Sequence, residues 1–229
     1  MFTLDNVTKV YRRRGQDVVA LQVPSLAIQR GAYVAMVGAS GSGKTTLLSM
    51  LGGMLTPTTG TIKVDGISLY DLSVTERAQF RCERIGFVFQ TFNLVPYLTA
   101  LENVELALYL AKVTGQEQRQ RATQVLERIG LGARLDHKPC ELSTGQQQRV
   151  ALARTLANDP AIVLADEPTG NLDPESRGCV LDFFDELHRE GRTIVMVTHD
   201  AVAAKRAHES FRLAQGKVLA VQLADSRAA

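Results

Sequence analysis

The eight residues Gly38-Ala39-Ser40-Gly41-Ser42-Gly43-Lys44-Thr45 meet every position of the pattern G-x-x-x-x-G-K-[ST], and no other stretch of the chain narrows its fold as much. Glycines let successive backbone N–H groups turn inward as an anion nest, the lysine reaches terminal phosphates, and the final hydroxyl can ligate Mg²⁺. The flanks agree. Tyr33-Val34-Ala35-Met36-Val37 is an apolar run that enters the loop as a strand, and Thr46-Leu47-Leu48-Ser49-Met50-Leu51 leaves it as a helix whose positive N-terminus faces the phosphates. Gly38, Ala39, Ser40, Gly41, Ser42, Gly43, Lys44, Thr45 and Thr46 are therefore expected to bind the phosphates of a nucleotide. The pattern leaves open which reaction the phosphates serve.

A chain of 229 residues has room for one large α/β domain with a small lobe. Twenty-six basic against 24 acidic groups leave a net charge of +2, so no nucleic-acid partner is implied. Arg12-Arg13-Arg14 and the pair Arg81 and Arg84 read as solvated surface. Apolar runs reach only about five residues, against the roughly 20 that cross a bilayer, so the chain is not expected to span a membrane. Met1-Phe2-Thr3-Leu4-Asp5 lacks the basic and apolar regions of a secretory signal, which makes the cytoplasm the expected location. Cys82, Cys140 and Cys179 are odd in number and lack metal-ligand spacing, and read as reduced structural thiols.

Strand periodicity dominates the first third: Phe2–Leu4, Val18–Leu21, Leu26–Ile28, the strand into the phosphate loop, and Thr61–Gly66 ending in an Asp-Gly hairpin turn. Ile85–Phe89 is a further strand running into Gln90. From about Leu98 to Ala157 helical periodicity takes over, with helices expected at Ala100–Lys112, Glu117–Ile129 and Gln146–Leu156. β/α alternation then returns. Ala161–Ala165 and Thr193–Val197 are continuous apolar runs suited to parallel strands covered on both faces, with a helix at Pro174–Glu190 between them. A helix at Ala201–Ala207 and a hairpin around Gln215-Gly216-Lys217 close the pattern, and Ala224–Ala229 reads as a frayed tail.

Three further constellations carry chemistry. Ile162-Val163-Leu164-Ala165 ends in Asp166 and Glu167, and a carboxylate at the C-terminal end of such a strand sits where open α/β sheets bind ligands. Beside a phosphate loop, Asp166 would organise Mg²⁺ and Glu167 would polarise the attacking water as general base. Thr198-His199-Asp200 follows another strand of the same sheet, so His199 is expected at the same edge, against the γ-phosphate or aligning water with Glu167. Leu142-Ser143-Thr144-Gly145-Gln146 opens a helix and places backbone amides and a hydroxyl at its positive end, a second anion site without a lysine. One phosphate has no evident way to use both sites within one chain. Two chains paired head to tail by two-fold symmetry could face each phosphate loop with the other's serine loop.

Taken in order along the chain, these motifs resemble those of an ATP-binding-cassette ATPase, the nucleotide-binding subunit of an ABC transporter. GASGSGKT is similar to the family's Walker A motif, Gln90 to its Q-loop, LSTGQ to its signature, IVLADE to its Walker B, Asn171-Leu172-Asp173 to its D-loop and His199 to its switch histidine. The resemblance implies a RecA-like phosphate-loop core with a mostly parallel sheet (1–90 and 159–229), including an N-terminal antiparallel β subdomain, and a helical subdomain inserted at 91–158. It implies ATP and Mg²⁺ as cofactors, with Thr45, Gln90 and Asp166 at the metal, Glu167 and His199 catalytic, and Tyr11 stacked on the adenine. Ser143, Gly145, Gln146 and Asp173 would contact the ATP of a second copy. The partners implied are that second copy and transmembrane permease subunits, at the cytoplasmic face of the inner membrane. ADEPTGNLD resembles the branch of lipoprotein-releasing, macrolide-exporter and cell-division ATPases, and Thr91–Thr99 is where a permease's coupling helix would dock. A soluble cassette ATPase acting on nucleic acid or ribosomes is the alternative, but it would need a long coiled-coil insertion or tandem cassettes. One departure stands out: the usual signature is LSGGQ, and Thr144 occupies the first glycine position, adding a β-branched side chain there.

Overall fold

The computed structural model describes residues 1–13 and 15–223, so Arg14 and the tail Ala224–Ala229 lie outside the described residues. The apolar run before the phosphate loop forms β3 (Tyr33–Val37), which pairs in parallel with β8 (Thr193–Thr198) on one side and β9 (Glu209–Ala214) on the other. Beyond β8 follow β7 (Ile162–Asp166) and β6 (Ile85–Val88), also parallel. These strands are buried almost throughout, which is why their sequences read as unbroken apolar runs. Alternation decides only which core each side chain joins. Val34 and Met36 enter one cluster with Leu47, Met50 and Leu51 of α1 (Lys44–Leu51). Tyr33 and Ala35 enter another, with Leu181 and Phe184 of α6 (Pro174–Arg189).

The N-terminal part continues the same sheet in antiparallel fashion. β1 (Phe2–Arg13) pairs with β2 (Gln16–Ile28) and with β4 (Thr59–Val64), which turns through Asp65-Gly66 into β5 (Ile67–Ser68). Asp65 at φ 49 and Gly66 at φ 82 give the Asp-Gly hairpin its two left-handed residues. β9 and β10 (Lys217–Leu223) form the expected closing hairpin, and β10 joins the two halves of the sheet by pairing Lys217 with Gln22. A third cluster lies between α3 (Ala100–Leu110), α4 (Gly115–Arg128) and α5 (Thr144–Leu156), around Leu101, Val104, Leu126 and Val150.

Three expectations need correction. Val18–Leu21 and Leu26–Ile28 are one strand, because β2 runs straight through Pro24 with pairing to β1 kept on either side, at Val23↔Val7 and Ser25↔Asp5. The helix expected over Ala201–Ala207 is the single turn α7 (Ala201–Ala204), capped by Asp200. An unforeseen helix, α2 (Val74–Arg84), precedes β6; it has no fully buried residue, so no apolar stripe announced it. Its Ser73-Val74-Thr75-Glu76 capping box, with Ser73 Oγ accepting from the Glu76 amide and Glu76 accepting from the Ser73 amide, was the legible signal.

A candidate nucleotide site at one edge of the sheet

The C-terminal ends of β3, β7 and β8 lie level, since Val37 pairs with Thr198 and Asp166 with Val197. The chain leaves β3 into the phosphate loop, β7 into Glu167, and β8 into His199. A cleft of about 620 Å³ opens along this edge, lined by Gly38, Ala39, Ser40, Gly41, Gly43, Lys44, Thr45, Thr46, Gln90, Asp166, Glu167 and His199, with Ala20 from β2 at its rim. Ser42, the remaining loop residue, is buried and its Oγ has no hydrogen-bond partner. The loop turns at Gly41 (φ 76) and Gly43 (φ 101), and Gly43 is the N-cap of α1, whose first amides have no side-chain cap. Unsatisfied amides at a helix N-terminus attract an anion.

Lys44 is buried, and its Nζ donates to the carbonyls of Gly38 at 2.7 Å and Ala39 at 3.0 Å, which keeps the ammonium folded over the loop. Thr45 Oγ1 donates to Asp166 Oδ1 at 3.3 Å. Burial pushes the Asp166 carboxyl above the ordinary carboxylate range, and the neighbouring Glu167 charge adds to this, while the Thr45 hydroxyl and Lys44 ammonium act the other way. Glu167 has left-handed backbone at φ 48, which costs a non-glycine residue about 1–2 kcal/mol; its amide is fixed on the Val197 carbonyl at 2.9 Å. That strain delivers the side chain to His199: Glu167 Oε2 accepts from His199 Nδ1 at 2.8 Å and from the His199 amide at 3.3 Å. A hydroxyl, a carboxylate and the Gln90 amide form an all-oxygen donor set, the chemistry that suits Mg²⁺.

The four residues expected to face a second chain form a separate corner. Ser143 caps α5, accepting from the Gln146 amide at 3.3 Å while Gln146 Oε1 accepts from the Ser143 amide at 2.9 Å. Asp173 caps α6, accepting from the amides of Ser176 at 3.0 Å and Glu175 at 3.1 Å; the Ser176 amide holds its carboxyl below the usual range. The two helix starts touch at Gly145, where a Cβ would collide with Ser176 Oγ. Thr144, one residue earlier, is exposed and lies outside the positive-φ residues, so the backbone there has no need of glycine. None of these residues lines the cleft. Tyr11 does not line it either: on β1 it pairs with Val18 of β2, 41% exposed, with Lys9 Nζ 5.3 Å from its ring centre.

Sequence reasoning missed the residues that tie this corner to the cleft. Gln148 on α5 is fully buried and donates to the Pro168 carbonyl at 2.6 Å, just past Glu167. Arg154, on the same helix, donates to the carbonyls of Phe92 at 2.8 Å and Asn93 at 2.6 Å, just past Gln90. Burial lowers the Arg154 pKa from its ordinary value. Gln148 shares a helix face with the buried Leu152 at i+4, and a polar residue inside an apolar stripe was the available sign.

The family model described as "ABC transporter" matches residues 21–170. The chain belongs to the ABC transporter ATP-binding family. Within it, the cassette is 47% identical to the ABC transporter ATP-binding protein YvrO of Bacillus subtilis over 96% of both chains. It is 46% identical to the macrolide export ATP-binding/permease protein MacB of Escherichia coli, covering 96% of this chain and 34% of MacB. Among solved structures, the dimeric post-hydrolysis state of the cassette MJ0796, bound to ADP and Pi, superposes with a TM-score of 0.92 at 42% identity, covering 99% of this chain and all of that one. The fold is thus that of a phosphate-loop ATPase, as the motif order implied, and the reading as a nucleic-acid or ribosome ATPase is not favoured. Among the described residues, no helix of the cassette is long and apolar enough to cross a membrane.

Proposed function

We propose that two copies of this cassette close around two ATP molecules and, through that closure, drive transmembrane permease subunits at the cytoplasmic face of the membrane. The observation that carries this reading is the division between the cleft and the corner. Lysine, carboxylates and histidine converge at one sheet edge, while the second anion-attracting loop lies outside it. A ligand that needs both must bridge two chains, and binding that bridges stabilises the dimer in proportion to ligand. The dimeric state of the MJ0796 structures supports the pairing of two copies.

In this reading the amides of Gly38–Thr46 and the Lys44 ammonium take the phosphates, Nζ exchanging loop carbonyls for phosphate oxygens. Thr45, Gln90 and Asp166 would hold Mg²⁺, which when bound neutralises phosphate charge. Glu167 takes a proton from water as the water oxygen bonds to the γ-phosphorus, the bond from that phosphorus to the β–γ bridging oxygen breaks, and ADP and inorganic phosphate leave. His199 orients the Glu167 carboxylate through the Nδ1 contact. Ser143, Gly145, Gln146 and Asp173 meet the partner's nucleotide, and Tyr11 stacks on the adenine. Residues 1–90 and 159–229 form the nucleotide-binding core and 91–158 a helical lobe, whose segment Thr91–Thr99, with Tyr97 83% exposed, presents the permease docking surface. The MacB relatives, ATP-binding/permease proteins by name, support a macrolide-exporter-like branch, in which the cassette would transmit force to its membrane partner.

Glu167→Gln keeps the shape of the base and removes its proton affinity. With ATP and Mg²⁺ it should elute from gel filtration as a dimer and hydrolyse almost nothing. A strictly monomeric elution, with ATP bound, would overturn the proposal.

A further inference from the structure

We propose that the β9–β10 hairpin positions the phosphate loop, with Gly216 in its turn as the positioning residue; this rests on reading the cleft as the nucleotide site. The hairpin lies beyond residue 170, where the family match ends, and Gly216 does not line the cleft. It nevertheless grips the loop at both ends. At the entry, Val37 pairs with Arg212, and a Cβ on Gly38 would run into the Leu213 carbonyl oxygen, so the first loop residue rests on the β9 backbone. At the exit, the Gly216 amide donates to the Ser42 carbonyl at 3.0 Å, while the Gly216 carbonyl accepts from the Gln22 amide at 2.6 Å. A Cβ on Gly43 and a Cβ on Gly216 would each stand 2.8 Å from the same atom, the Ala20 carbonyl oxygen. Three backbones meet there, closely enough that neither glycine has room for a Cβ.

The consequence follows from peptide geometry. In a planar trans peptide the C=O and N–H bonds point in opposite directions. Anchoring the Ser42 carbonyl on the Gly216 amide therefore turns the Gly43 N–H away from the hairpin. The Ser42–Gly43 peptide cannot flip without breaking that bond, so one nest donor is aimed before any phosphate arrives. The turn that presents the Gly216 amide has Gln215 at φ 48 and Gly216 at φ 75, the two left-handed residues of a tight hairpin.

Gly216→Ala adds a Cβ against Ala20 and Leu21, and the measurement is the dissociation constant of a fluorescent ATP analogue for the full chain. The control is Gly66→Ala, which imposes the same kind of backbone strain at φ 82 in the β4–β5 turn, where a Cβ meets nothing within 4 Å. Gly216→Ala is expected to weaken binding by about tenfold and Gly66→Ala by less than about twofold. Unchanged binding by Gly216→Ala, or equal weakening by both, overturns the inference. Should wild type itself not bind, the nucleotide reading falls and this one with it; should wild type and Gly216→Ala bind alike, only the hairpin's role falls. If Gly216→Ala does not fold, hydrogen exchange on wild type decides: nucleotide should slow exchange of the Gly216 and Gln22 amides, and no slowing counts against the proposal.

Discussion

The phosphate-loop cleft and the Ser143 corner use the same raw material, glycines at the start of a helix, and end as opposite kinds of site. In the cleft the helix start has no side-chain cap, the lysine folds over the loop, and strained backbone at Glu167 holds a carboxylate against His199. In the corner, both helix starts are capped by their own Ser143 and Asp173, and no lysine stands by. The cleft is thus an unsatisfied donor set with charge to match a polyphosphate, whereas the corner is locally satisfied. Only the cleft is equipped to bind a nucleotide within one chain. The corner can add to a site that something else has begun.

Several substitutions test that contrast. Glu167→Gln should lower turnover by about 10²–10⁴-fold, while nucleotide affinity measured by fluorescence stays near wild type; a large loss of affinity would mean the carboxylate serves binding. His199→Ala should cost about 10²-fold in turnover, again with affinity preserved. In the corner, Gly145→Ala drives a Cβ into Ser176 and should cost about 1–3 kcal/mol in denaturant unfolding, with single-chain nucleotide affinity kept and ATP-dependent dimer formation lost. A loss of single-chain affinity would erase the distinction between the regions.

Asp166→Asn reads the cleft's electrostatics without nucleotide. Since the fold raises the Asp166 pKa, the unfolded chain releases this proton first as pH rises, so Asp166's own contribution to stability is full below the ordinary carboxylate value and is lost as pH rises through the raised one. The stability of wild type relative to the variant, measured by unfolding across that window, should therefore fall as pH rises, and a difference that does not change with pH would contradict it. The smallest effect is expected from Thr144→Gly: ATPase rate unchanged and a few tenths of a kcal/mol lost from the helix start. A markedly faster variant would show that the threonine obstructs closure.

How much of this was legible depended on how local each cause is. The phosphate loop, the Ser143 capping box and the acid-ended strand are each written in a few consecutive residues, and each stands where the sequence put it. Helix α2 was missed because it has no fully buried residue, only the half-buried Phe80 reaching the core, and its cap was the one clear sign. Arg154 and Gln148 escaped notice because their partners, the carbonyls after Gln90 and Glu167, are distant in sequence. Gly145 and Thr144 are neighbours with opposite requirements, and the difference is made by the Oγ and Cβ of Ser176 on another helix.

The sequence by itself determined the family, the phosphate nest and its flanking strand and helix, because a run of glycines, a lysine and a hydroxyl acts through backbone dihedrals and reach that span only eight residues. Tertiary structure decided how the cleft's side chains meet, Lys44 on the loop carbonyls and His199 on Glu167, and which other backbones close on the loop. Strand order is set by long-range pairing, which placed β3 between β8 and β9 and so brought Glu167 and His199 beside Lys44 and the C-terminal hairpin beneath the loop. Burial and close backbone approach are properties of the assembled sheet, and no single segment of the chain carries them.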